Sequence, residues 1–120
     1  MRHEELYLAD AVKAMRELRR FLAMTTEEQF LADQLKQSFV FHRLVIVGEA
    51  AVCVRSAYQA RYPDLPWAQL AGLRNRLVHA YFDLNLPLLW NIASAGSARL
   101  EEQFDLILRT EFPYAVEPEE

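Results

Sequence analysis

Apolar residues recur at helical spacing along almost the whole chain. Leu8, Val12, Met15, Leu18 and Leu22 keep to one stripe and leave Glu17, Arg19 and Arg20 for solvent, which predicts a first amphipathic helix. Thr26-Glu27-Glu28-Gln29 is a capping-box pattern, in which the Thr hydroxyl accepts from the Gln29 N–H while the Gln side chain reaches back, so a second helix starts there. From Thr26 to Ala60 no proline intervenes and the only glycine is Gly48. This segment is either one long helix or a short helix kinked near Asp33 into a long one. Its apolar residues Phe39, Phe41, Leu44, Val45, Ile46, Val47, Val52 and Val54 point in several directions, as in a helix that is covered on more than one side.

Arg61 to Pro66, with two prolines and Asp64, reads as a turn. Leu70, Leu73 and Leu77 then restore a one-sided helical period, with Pro66 as the start. Asp83 to Pro87 is a second break, in which Asn85 is the cap and Pro87 stands in the first turn of the last helix. Leu89, Ile92, Ala93, Gly96, Leu100, Phe104 and Ile107 carry that helix to Pro113. Gly48 and Gly72 lie inside helix patterns, where each costs roughly 1 kcal/mol against alanine, and close helix approach is the compensation expected at both. The fold class is all-α: an antiparallel four-helix bundle with one additional short helix. Residues 1–112 form a single domain and residues 113–120 an acidic, frayed tail.

Composition narrows the function classes. A hydrophobic fraction of 52% in 120 residues suffices for one core. Thirteen basic residues against seventeen acidic ones give a net charge of −4, so no global positive field marks a nucleic-acid binder and any RNA contact must be local. A lone Cys53 cannot form an internal disulfide and reads as a small buried hydrophobe. With no signal-like pattern in Met1-Arg2-His3-Glu4-Glu5, a cytoplasmic location is expected. The run from Phe39 to Val54 is broken by His42, Arg43 and Glu49 and is too short to span a bilayer. His3 and His42 lack a second ligand at metal spacing, so neither a metal nor another cofactor is expected.

Chemically capable side chains gather in one helix, at Arg74, Asn75, Arg76, His79 and Tyr81. Asn75 and His79 share a face at i, i+4, whereas Arg74 and His79 lie roughly 140° apart on an ideal helix. They converge only if the Arg side chain wraps round or the helix loosens near His79. Ser38, His42, Glu49 and Ser56 form a polar line in the apolar segment before it. Either each finds a local hydrogen bond, or the line faces the motif helix. In the second case a buried Glu49 needs a cation, and it orients Arg74 or Arg76. Arg55, Arg61 and Arg76 are either a basic rim or scattered solvated charges. Trp67 and Trp90 pack the bundle ends or offer a stacking surface to a base.

The spacing Arg74-Asn75-x-x-x-His79-x-Tyr81 resembles the signature of the HepT-like HEPN proteins, toxin partners of minimal nucleotidyltransferases. Pro66-Trp67, Gly72, Arg76, Phe82 and Asp83 extend the likeness, as do Ile46 to Ala51, Arg61-Tyr62-Pro63 and Leu89-Trp90. The resemblance implies the toxin of a type VII (HEPN/MNT) toxin–antitoxin system, a metal-independent endoribonuclease acting on RNA. It also implies that Tyr81 is the hydroxyl to which the nucleotidyltransferase antitoxin attaches AMP. Such chemistry suits these side chains. The imidazole of His79 serves as general base or acid, and Arg74 is a planar charge that holds two phosphate oxygens. Glu49, Asn75 and Arg76 are supporting residues. One motif histidine leaves the second proton transfer to water, to Tyr81 or to a second subunit. A two-fold homodimer is expected, because the apolar long helix has more surface than one bundle covers. The alternative is a non-catalytic HEPN binding module that presents nucleotide or substrate to the partner nucleotidyltransferase.

Overall fold

Local capping decides where the helices begin. In the computed structural model, which describes residues 3–79 and 83–115, α1 spans Glu4–Ala23 and α2 spans Glu27–Leu31. The capping box forms as expected: the Gln29 N–H donates to Thr26 Oγ1 at 3.1 Å and the Thr26 N–H to Gln29 Oε1 at 2.9 Å. Asp33 separates α2 from α3, Gln34–Cys53, and its carboxylate accepts from the Leu35 N–H at 2.9 Å. The segment is therefore a short helix followed by a long one. After α4, Ser56–Arg61, and α5, Trp67–His79, the chain enters α6, Leu86–Glu111, capped by Asn85 through the Leu88 N–H at 3.1 Å. A 3₁₀ turn, Pro113–Ala115, follows.

The four long helices α1, α3, α5 and α6 run antiparallel to their neighbours around one core. α1 packs along α6 and α3, and α5 packs along α3. Leu8, Met15 and Leu18 of α1 meet Val40 and Val47 of α3, Leu77 of α5 and Phe104 and Ile107 of α6 in a single buried cluster. Pairing of Glu4 with Arg55 and of Glu17 with Arg43 shows α1 and α3 to be antiparallel.

Two short helices are present where the sequence predicted one. The long helix stops at Cys53 instead of continuing toward Ala60, because Val54 and Arg55 are extended. Glu4 holds the break from across the bundle, accepting from the Arg55 N–H at 2.8 Å and from its guanidinium at 2.5 Å. The Gln59 amide donates to the Ala51 and Val54 carbonyls, at 3.1 and 2.8 Å, and satisfies the end of α3. Ser56 thus leaves the polar line that the sequence drew through Ser38, His42 and Glu49.

Val40, Leu44, Val47, Gly48, Ala50 and Ala51 are the buried side of α3. Phe41, His42, Val45, Glu49 and Val52 share the other side and are partly or fully exposed. Phe41 and Val45 pack partly on the core and Glu49 pairs with Arg74, while His42 and Val52 stay exposed. Among the described residues no helix is long and apolar enough to cross a membrane.

Candidate active site on the fifth helix

α5 starts where the sequence placed it. Its first residue, Trp67, is buried edge-on against Phe104 and donates its indole N–H to the Tyr62 carbonyl at 2.9 Å. Tyr62 is tied in turn to the end of α6 by a 2.7 Å hydrogen bond from its hydroxyl to Glu111, to which Arg61 also pairs. Burial, followed by that carboxylate, raises the Tyr62 phenol above its ordinary pKa. Leu70, Leu73 and Leu77 then seat α5 on the core, so the opposite side of the helix is fixed toward solvent.

Arg74 lies at the flank facing α3. Gly48 opens that flank: a methyl group there would collide with Arg74 Cβ and stand 3.1 Å from the Leu70 carbonyl. Close approach therefore explains Gly48. It does not explain Gly72, which is exposed, and where an added methyl would meet nothing within 4 Å. The Arg74 Nε–H donates to Glu49 Oε1 at 2.5 Å, and Nη1 donates to Asn75 Oδ1 at 3.0 Å. Both members of the ion pair are partly exposed, with 28% of the Arg74 and 34% of the Glu49 side chain accessible, so the site is open to a ligand. The Cys53 thiol lies 4.0 Å from Glu49 Oε2, half-exposed instead of buried as its apolar surroundings suggested.

His79 is the last residue of α5 and is exposed, like Asn75 and Arg76. No hydrogen bond joins it to Arg74, whose guanidinium is held toward α3. The motif's cation and imidazole thus occupy different sides of the helix end, as the ideal geometry requires. Tyr81 lies outside the described residues. Arg55 and Arg61 are paired with Glu4 and Glu111, so neither joins Arg76 in a free basic rim. Ser38 and His42 make no hydrogen bond to α5; Ser38 lines a cavity with Phe41, Leu84 and Leu89 instead. Trp90 packs on Phe30, with ring centroids 5.3 Å apart. Among the described residues no group of three or more His, Cys, Asp or Glu side chains could hold a metal ion.

A groove of about 840 Å³ runs along α5 from Pro63 and Trp67 past Ala68 and Ala71 to Asn75, with Ala51 and Val52 as its α3 wall. It leads from the start of α5 to the Arg74–Asn75 pair. The pairing of Arg74 with Asn75 is the one contact of the site that helix periodicity hides, since adjacent side chains diverge by about 100°. Only the reach of the guanidinium brings them together.

A family model described as "Ribonuclease HepT-like" matches residues 12–107. The chain is 30% identical to the "Probable ribonuclease HepT" of Thermococcus cleftensis over 82% of this chain and 90% of that protein. It is 24% identical to "Putative RNase MJ1380" of Methanocaldococcus jannaschii, over 88% of this chain and 97% of the other. No solved structure matches it.

Proposed function

Because the chain belongs to the HepT-like ribonuclease family, we propose that it is a metal-independent endoribonuclease and the toxin of a type VII (HEPN/MNT) toxin–antitoxin pair. The observation that carries this reading is the Arg74 guanidinium, fixed by Glu49 on the same helix that presents an exposed His79. Cleavage by the RNA itself begins when a base removes the 2′-OH proton. The 2′-oxygen then bonds to phosphorus, the P–O5′ bond breaks, and an acid protonates the departing 5′-oxygen. His79 serves one of the two proton transfers, worth typically 10²- to 10⁴-fold. Arg74 faces the charge that builds on the phosphorane oxygens. The groove beside α5 gives a single strand a path toward the Arg74–Asn75 pair.

One imidazole does not complete this cycle. A two-fold homodimer, formed through the partly exposed side of α3 with α5 alongside, would bring a second His79 to the same cleft. The proposed control is transfer of AMP to Tyr81 by a minimal nucleotidyltransferase antitoxin in the cytoplasm. The added phosphate would bring negative charge and bulk to the motif.

The test is expression of the chain alone beside Arg74→Ala, His79→Ala and Tyr81→Phe, with growth and cellular RNA followed. Wild type should arrest growth and fragment RNA, the first two variants should do neither while staying folded, and Tyr81→Phe should stay toxic in the presence of the antitoxin. A harmless wild type with intact RNA would replace the nuclease by a non-catalytic binding module.

A further inference from the structure

Resting on the nuclease reading above, we infer that Glu49 is a positioning residue that sets not only Arg74 but, through Arg74, the orientation of the Asn75 amide. Three observations combine. Gly48 admits the Arg74 stem against the α3 backbone, which fixes where the side chain leaves its helix. Glu49 Oε1 accepts from Arg74 Nε and restricts how the planar guanidinium can turn. In that orientation Nη1 meets Asn75 Oδ1 at 3.0 Å.

The consequence follows from the donor inventory. An amide has one acceptor oxygen and one NH₂ group, and the guanidinium has donors alone. Once Arg74 occupies Oδ1, the Asn75 NH₂ is the edge left over, on the helix face that Asn75 shares with His79. Asn75 therefore offers substrate or imidazole its NH₂ as a donor, while one lone pair of Oδ1 is already taken by Arg74. Arg74 Nη2, which makes no hydrogen bond among the described residues, is the second free donor. Glu49 thereby sets two NH₂ groups, one on Asn75 and one on Arg74, where a phosphate could meet them, without touching the substrate itself.

The experiment compares Glu49→Ala, Glu49→Gln, Asn75→Ala and the double variant Glu49→Ala/Asn75→Ala in the full chain, each first checked for wild-type unfolding. With a single-stranded oligoribonucleotide, Glu49→Ala should lower kcat by about 10²-fold, the scale of a misplaced catalytic group, and change KM far less. Glu49→Gln keeps an acceptor for Nε and should recover most of the loss. The double variant should be no slower than the worse single one, because both act through one chain of contacts. Losses that simply multiply, or a Glu49→Gln as slow as Glu49→Ala, would overturn the inference. A second readout needs no turnover: the Arg74 Nε–H and Nη1–H NMR signals, bonded to Glu49 and Asn75, should be slow to exchange with water in wild type and lose that protection in Glu49→Ala. If wild type leaves RNA intact, the functional reading fails and these signals alone decide the geometry, with unchanged protection in Glu49→Ala refuting it.

Discussion

At Gly48 the absence of a side chain decides how near α5 comes to α3. Gly48→Ala forces a methyl into the Arg74 stem, and overpacking of that kind costs typically 1–3 kcal/mol. Urea unfolding should show that loss. Gly72→Ala should do the reverse and stabilise the chain by roughly 1 kcal/mol, since it gains helix propensity and meets no neighbour. Arg74→Lys keeps the charge but not the planar fork, so one ammonium cannot reproduce the guanidinium's fixed contacts with Glu49 and Asn75, and RNA cleavage should fall toward the Arg74→Ala level. An ion pair for Glu49 was one of two readings open in the sequence, beside a local hydrogen bond, and it forms although the side chain is only partly buried. Which of Arg74 and Arg76 it takes was not legible, nor was the difference between Gly48 and Gly72. Both depend on which side of each helix meets the other.

The helix starts follow from neighbours in the chain. Thr26, Asp33 and Asn85 bond to backbone two or three residues on, so their caps are visible in the sequence. The break between α3 and α4 was not visible, because its partner, Glu4, lies 51 residues away. Glu4→Ala should accordingly speed hydrogen exchange at the amides of Arg55, Tyr58 and Gln59 while leaving α1 and α6 protected. Asp33 adds a pH signature. The Lys36 ammonium, then the Leu35 N–H, holds its carboxyl below the ordinary value. A lowered folded-state pKa means that the stabilisation is present above the unfolded value, about 3.9, and is lost as pH falls through the folded one. The stability gap between wild type and Asp33→Asn should therefore be full at neutral pH and close in acid.

Across the whole molecule, helical periodicity and the two proline-rich breaks were enough to show the four-helix architecture. How much surface one chain leaves bare was not legible, since that depends on which side of α3 the other helices cover. The outer side of α3 carries Phe41 and Val45, which pack partly on the core, and Val52, which retains 47% of its surface. We expect sedimentation at micromolar concentration to give a dimer for wild type and a monomer for Val52→Asp; a monomeric wild type would remove the second His79 from the proposed cycle. An acidic chain of net charge −4 offers RNA no broad attraction, so RNA binding through the few cations of α5 should show only a shallow salt dependence. The central claim is that Arg74 and His79 of this family member cut RNA without a metal. Its most direct test is incubation of purified chain with RNA in excess EDTA, beside folded Arg74→Ala and His79→Ala. The account predicts fragments from wild type alone. Intact RNA in all three, or equal cutting by the variants, would contradict it.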